Sequence, residues 1–122
     1  MANAVSKIPF SASTQGQGIK VAATTSPGTL IHTTGVSGTI IDEVWLYAFN
    51  SHTADVVLTV EFGGATAPDQ NIILTIPFKQ GLVIVVPGLP LLGSGTVALT
   101  VKAFAATTNV ITISGFVNRI TP

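Results

Sequence analysis

The residue types that could perform catalysis are scarce in this chain, which has two histidines, five carboxylates and no cysteine. Ser51, His52 and Asp55 are together the residue types of a hydrolase triad. Their spacing within one short polar segment cannot give a nucleophile, a base and an orienting carboxylate the separate positions that acyl transfer requires. The favoured interpretation is a hairpin turn in which Ser51 or Asp55 hydrogen-bonds nearby backbone.

Two neighbouring carboxylates, Asp42 and Glu43, fall in a segment with strand periodicity. Successive side chains of a strand point to opposite faces, so these two cannot act as a paired acid and base. Each is expected to be solvated or ion-paired. Because Glu43 shares its face with Trp45 and Tyr47, a subunit contact is the alternative for that residue.

Two further patterns suggest a cofactor site or a metal site, but the neighbouring sequence argues against both. The segment 93–98, Gly-Ser-Gly-Thr-Val-Ala, has the glycine spacing of a dinucleotide fingerprint, but it leads into a strand instead of a helix. His32 has no second histidine or cysteine at ligand spacing, so a hydrogen-bonded structural histidine is expected. The sequence therefore predicts a protein that is not an enzyme and has no cofactor, metal site or small-molecule substrate.

Charge is unusually sparse. Only 8% of the residues are charged and 47% are hydrophobic, whereas soluble domains carry about 25% charged residues. The net charge is zero and the cations are scattered, which argues against nucleic acid as a partner. The most apolar segment, 81–93, is too short to cross a bilayer as a helix and contains Pro87 and Pro90, so no membrane partner is predicted. Association with copies of itself or with another protein would cover the apolar surface.

Short alternating apolar runs separated by turn residues predict an all-β fold, an antiparallel β-sandwich or jelly roll of about eight strands. The polar segment 1–27 is predicted to be an N-terminal arm with a short edge strand at 19–23, and 28–122 to be the sandwich domain. The expected strands are 29–33, 40–50, 56–62, 71–76, 82–86, 96–105 and 110–120.

Two of these segments are apolar on both faces. The strand at 40–50 carries Trp45, Tyr47 and Phe49 on one face, for which packing in the core or at an interface is favoured over a carbohydrate-stacking platform. The run 82–86 predicts a strand buried on both faces, followed by an apolar loop at 89–92. Both segments are expected to be places where subunits meet.

Several short sequence segments resemble those of a known class of protein. They are Ile-Asp-Glu-Val-Trp-Leu-Tyr-Ala at 41–48, Val-Glu-Phe-Gly-Gly at 60–64, and the segments 81–92 and 101–119. In these features the chain resembles the capsid decoration, or cement, proteins of tailed bacteriophages. The resemblance implies a virion protein, made in the host cytoplasm, that binds the major capsid protein on the outside of an icosahedral head as a homotrimer and reinforces it.

The resemblance also suggests which residues make contacts. The arm, about 2–25, is the candidate for binding the shell or a neighbouring subunit. The predicted capsid or oligomer contacts are Ile8, Pro9, Phe10, Ile19, Val21, Glu43, Trp45, Tyr47, Leu89, Leu91 and Leu92. Two alternatives stay open. One is another virion part, such as a shell jelly roll, a fibre base or a head-completion protein, and the other is a carbohydrate-binding sandwich.

Overall fold

The computed structural model describes residues 3–122, and all regular secondary structure in that range is β-strand. No helix in this range is long and apolar enough to cross a membrane. The strands are β1 (Ala4–Pro9), β2 (Ile19–Lys20), β3 (Thr29–Thr33), β4 (Ile41–Asn50), β5 (Val56–Phe62), β6 (Asn71–Ile76), β7 (Val83–Leu91), β8 (Thr100–Ala105) and β9 (Ile111–Thr121).

The strands form two antiparallel sheets packed as a sandwich, which confirms the predicted fold class. The five-stranded sheet has the order β1-β9-β4-β7, with β2 also on β9, and the four-stranded sheet has the order β3-β8-β5-β6. The pairs β5–β6, β4–β7, β3–β8 and β1–β9 are nested in the sequence like the two arms of one long hairpin. A long hairpin rolled into two sheets is the connectivity of a jelly roll.

The first strand is interrupted, and this explains why there are nine strands and not eight. β1 pairs with one half of β9 and β2 with the other half, and between them Phe10 enters the core. Opposite this break lies Gly115, whose φ is +147°. A Cβ there would collide with the carbonyl oxygen of Trp45 and lie 3.0 Å from the Phe10 ring, so only glycine leaves room for the phenylalanine.

The predicted N-terminal arm lies on the sandwich over its described part. Residues 4–9 pair with β9 along their whole length, and the side chains of Phe10 and Val21 are only 2% and 0% exposed. These two apolar side chains fill the core, which is why a segment of otherwise polar composition is held in place. Met1 and Ala2, the first residues of the predicted arm, lie outside the described residues.

The end of this segment is held by a buried carboxylate. Glu61 of β5 is almost fully buried and accepts hydrogen bonds from the backbone N–H of Gly28, at 2.7 Å, and from the hydroxyl of Ser26. These hydrogen bonds offset part of the cost of removing the carboxyl group from water. Glu61 therefore ties the turn at 26–28 to the four-stranded sheet.

The core lies between the sheets, and β4 shows which face it uses. Val44, Leu46 and Ala48 point inward and are fully buried, while Trp45, Tyr47 and Phe49 point outward and are half-buried. Of the two favoured interpretations of these aromatic residues, packing in the core is therefore wrong within the single chain, and packing at an interface stays a prediction. A sandwich covers only one face of each sheet, and the second sheet packs against the aliphatic face of β4.

The expectation for 82–92 is also wrong in two respects. Residues 83–91 form one continuous strand, β7, so 89–92 is mostly strand and not loop. β7 is the edge of its sheet, and Ile84 is 57% exposed and not buried. An edge strand pairs on one side only, which is why it tolerates Pro87 and Pro90.

Candidate functional site

The outward side chains of β4 and β9 form the most distinctive surface of the described residues, here called the outer aromatic face. Antiparallel pairing in direct register places them side by side. All of them are half-buried, so each offers part of its surface to a partner. The set consists of Ile41, Glu43, Trp45, Tyr47 and Phe49 from β4 and Thr112, Ser114, Phe116, Asn118 and Ile120 from β9.

Trp45 and Phe116 form the centre of this face. Their rings are stacked with centroids 6.2 Å apart and an interplanar angle of 15°, and the Nζ of Lys7 on β1 lies 4.2 Å from the centroid of Phe116. On the other side Gly88 of β7 lies against the indole, where an added Cβ would be 2.7 Å from Trp45 Cζ2. The glycine therefore lets the indole lie flat across the neighbouring strand.

Glu43 fixes the orientation of the indole. Its Oε1 accepts hydrogen bonds from Trp45 Nε1 at 2.7 Å and from Asn118 Nδ2 at 3.1 Å. These two bonds, the one from Trp45 first, hold the pKa of Glu43 below its ordinary value because they stabilise the ionised carboxylate. The outer aromatic face is thus flat, preorganised and negatively charged at one point.

Beneath this face, on the core side of β4, Asp42 is the centre of a buried polar cluster. Arg119 donates to Asp42 in a two-point pair, Nε to Oδ1 and an Nη to Oδ2, both at 2.8 Å. His32 Nε2 lies 2.7 Å from Oδ2. Burial disfavours the charged form of Asp42, but the hydrogen bonds from Arg119 and His32 outweigh it and hold the pKa of this carboxyl below its ordinary value.

His32 is the hydrogen-bonded structural histidine that the sequence predicts. Its Nδ1 accepts the backbone N–H of Ser11 at 3.0 Å, so its proton is on Nε2 and is donated to Asp42. Although serine, histidine and aspartate meet here, the Ser11 hydroxyl bonds the backbone N–H of Thr33 and not the ring. The cluster therefore lacks the nucleophile-to-base hydrogen bond of a catalytic triad and ties β3, β4, β9 and the N-terminal segment together.

The other candidate chemical motifs occupy structural positions. Asp55 Oδ1 accepts the backbone N–H of Phe78 at 3.2 Å, and the Ser51 hydroxyl donates to the carbonyl of Val110 at 3.1 Å. Both side chains therefore form hydrogen bonds with backbone groups, as predicted. These groups belong to distant segments, however, and not to the turn in which Ser51 and Asp55 lie. Within residues 3–122 there is no group of three or more His, Cys, Asp or Glu side chains that could hold a metal ion, and the same residues enclose no pocket.

One end of the sandwich carries a second apolar surface, here called the apolar tip, made by the loops 34–40 and 92–99. Its exposed large hydrophobic side chains are Val36 and Val97, 48% and 59% exposed, and they lie among exposed serine, threonine and glycine residues. The loops are held together by backbone hydrogen bonds from Gly95 N to Val36 O and from Thr34 N to Leu99 O, both 2.9 Å. The sequence predicts a strand from residue 96, but β8 begins at Thr100, and this leaves Val97 on a loop.

The structure divides the predicted contact residues into three groups. Phe10, Val21 and Leu91 are core residues, so their side chains do not reach a partner, and the prediction of a contact role is wrong for them. Ile8 and Ile19 are half-buried and pack against the core. The remainder keep surface available for contact, and they are Pro9, Glu43, Trp45, Tyr47, Leu89 and Leu92.

Sequence reasoning missed Phe116 and Asn118 as members of the outer aromatic face, and Lys7 of β1 as a residue beside it. Alternation along 111–121 would have placed Phe116 and Asn118 on one face of a strand. The alternation pattern does not tell which strand pairs with this one. The pairing of β9 with β4 is what brings Phe116 next to Trp45.

A comparison with models of known protein families and with curated proteins finds no match to this chain. The function is therefore inferred from the residues and surfaces described above.

Proposed function

We propose that this protein is a non-enzymatic virion component, a capsid decoration protein that binds the outer surface of an icosahedral phage head and stabilises it. Its partner is the major capsid protein, and its place is the capsid surface. Two things support the proposal. One is the resemblance of its strand segments to decoration proteins, and the other is a surface suited to contact with several neighbours.

The distribution of exposed apolar side chains carries the proposal. Large hydrophobic residues are exposed on both sheets and at both ends of the sandwich, while only 8% of the chain is charged. A single interface covers apolar residues on one side of a molecule only. A protein with several neighbours in an assembly has apolar residues covered on several sides. The exposed residues are Val5, Leu30, Val36, Val57, Ile73, Phe78, Leu82, Ile84, Leu89 and Val97.

The apolar tip is the surface that contacts the shell in this proposal. It is held rigid by backbone hydrogen bonds between its two loops, and Gly93 lets them approach, because a Cβ there would collide with the carbonyl oxygen of Val36. A preorganised apolar contact loses little conformational entropy on binding. In the trimer that the resemblance implies, three such tips bind together and raise one another's effective concentration.

Charging the tip is expected to abolish shell binding. The double variant Val36→Asp/Val97→Asp should bind expanded empty heads of the cognate phage at least about tenfold more weakly, because a carboxylate would have to be desolvated at an apolar contact. Cosedimentation of the purified full chain with heads measures the bound fraction. The control is Thr53→Asp, in the exposed turn between β4 and β5 at the opposite end of the sandwich.

The outcomes separate the parts of this proposal. Heads that do not bind the wild-type chain argue against a decoration role altogether. If the tip variant binds like wild type, the shell contact lies elsewhere. Deleting the first twenty residues is a poor test, because it removes β1 and the buried Phe10 and so disturbs the fold itself.

Carbohydrate binding is the second candidate function, and the stacked Trp45 and Phe116 rings favour it. Sugar rings stack on flat aromatic surfaces, and Glu43 and Asn118 offer polar groups beside them. Trp45 is the single tryptophan, so glycan binding on the outer aromatic face should quench or shift its emission. A titration with neutral oligosaccharides that leaves the emission unchanged would exclude this alternative for the sugars tested.

A further inference from the structure

Two opposite charges lie symmetrically about β9, Glu43 on the outer aromatic face and Lys7 of β1 on the other side of β9. In the strand register Lys7 of β1 and Glu43 of β4 are both partners of Asn118, one on each side of it. Neighbouring strands are about 4.8 Å apart, so each charge-bearing strand lies about 5 Å from the axis of β9, in opposite directions.

Neither charge is neutralised by another residue in the described range 3–122, where the ion pairs are those of Asp42 with His32 and Arg119. Both hydrogen bonds to the Glu43 carboxylate end on Oε1. The Oε2 atom accepts no hydrogen bond from the described residues. Lys7 is exposed, and its ammonium group lies over the Phe116 ring. Each copy of the chain therefore presents one available cation and one available anion in a single row.

We propose that the outer aromatic face packs against the same face of a second copy, about a twofold axis that lies between the two sheets and runs within about 15° of the direction of β9. A rotation of 180° about such an axis exchanges left and right, so β1 of each copy lies over β4 of the other. Lys7 of each copy then meets Glu43 of the other, and the two pairs form simultaneously. The contact is isologous and closes on itself.

The geometry of packed sheets is compatible with this contact. Face-to-face sheets lie about 10 Å apart with their strands inclined by about 30°. At about 5 Å from the centre that inclination displaces the two charges by only about 3 Å, a distance that the flexible stem of lysine spans. In the next row β1, β9 and β4 contribute Pro9, Phe116 and Trp45, so the charges are flanked by apolar contacts.

The size of the face fits a specific but concentration-dependent contact. Together with the flanking strands β1 and β7, the face spans four strands of 6, 11, 10 and 9 residues. They cover about 19 Å by about 30 Å, or about 600 Å² per copy. Specific interfaces begin at about 1,200 Å² in total, so this face reaches the lower limit. The contact gives a dimer by itself, or a closed hexamer if a threefold contact exists elsewhere on the molecule. It does not depend on the proposed shell binding.

Charge exchange tests the proposal. Lys7→Glu and Glu43→Lys each place two like-charged pairs across the twofold contact and should weaken dimerisation about tenfold or more. The double variant Lys7→Glu/Glu43→Lys restores opposite charges and should return the dissociation constant to within about threefold of wild type. Sedimentation equilibrium of the full chain at low salt measures all four proteins.

The matched control is Lys79→Glu, the same charge change in the exposed turn between β6 and β7, which should leave the association unchanged. Because Glu43→Lys also removes the hydrogen bonds to Trp45 and Asn118, Lys7→Glu serves as the variant that leaves the internal contacts of Glu43 intact. A wild-type monomer at millimolar concentration, an association indifferent to Lys7→Glu, or a double variant as weak as the single variants would each overturn the proposal.

Discussion

Replacing Asp42 by asparagine should lower the free energy of unfolding by about 3 kcal/mol at pH 7. The side chain of Asp42 is almost fully buried and is held by both Arg119 and His32, so asparagine leaves a guanidinium without its counter-charge and a buried ring N–H with a weaker acceptor. Removing one partner of a buried ion pair usually costs about 3 to 5 kcal/mol. The expected loss is at the lower end of this range because the Arg119 side chain is 33% exposed and can turn to water.

The effect of Asp42→Asn should depend on pH. The pKa of Asp42 is lower in the folded protein than its ordinary value, so the folded state binds this proton less readily than the unfolded state does. The stabilisation is therefore complete above about pH 4, the pKa of an unfolded aspartate, and is lost as the pH falls through the folded pKa. Wild type and variant should converge in stability as the pH falls from about 4 through the folded pKa of Asp42.

Urea unfolding at several pH values between 7 and 2 measures this difference. Glu43, whose pKa is also lowered, is present in both proteins and cancels from the comparison. Asp69→Asn, in an exposed loop, is the matched control and should cost little at any pH. A stability difference that stays constant down to pH 2, or no difference at pH 7, would contradict the assignment of Asp42 as the centre of a buried ion pair.

Replacing Phe10 by alanine should cost about 3 to 4 kcal/mol of unfolding free energy, the usual result of emptying a buried aromatic site. Phe10 is almost fully buried, and its ring centroid lies 5.9 Å from that of His32. The space beside Gly115 is formed by backbone and cannot collapse onto the cavity. If residues 3–27 were a free arm, the same substitution would cost nothing.

The control for Phe10→Ala is Phe78→Ala, which removes the same ring from an exposed position and should change the unfolding free energy by no more than about 1 kcal/mol. Thermal and urea unfolding followed by circular dichroism measure both variants. Equal effects of the two substitutions would mean that Phe10 is not part of the core in solution.

The two surfaces described above can act together, since they lie on different parts of the molecule. The outer aromatic face belongs to the five-stranded sheet, and the apolar tip belongs to loops at one end of the sandwich. Pairing of the faces would therefore leave the tips free. In the proposed decoration role, pairing would add the tips of the paired copies to those of the trimer, and the apparent affinity for the shell would rise through effective concentration.

Local pattern was sufficient to predict where some strands begin and end. β5 and β6 occupy the predicted ranges 56–62 and 71–76, because apolar and polar residues alternate along most of each segment, apart from Val57 and Ile73, and turn residues bound it. The prediction of an all-β sandwich or jelly roll depends on the same signals repeated along the chain. The absence of a triad in the segment 51–55 also followed from spacing alone, since one short turn cannot separate the three roles.

Only the tertiary structure decided which side of each strand is inside. β4 is apolar on both faces, so its periodicity cannot say whether Leu46 or Trp45 enters the core, and the second sheet decides that. Asp42 stands on the inner face because Arg119, 77 positions away, supplies its counter-charge. Phe10 is buried because Gly115 leaves a space opposite the break in the first strand. Alternation is a property of neighbouring residues, whereas burial depends on what distant segments bring to the same place.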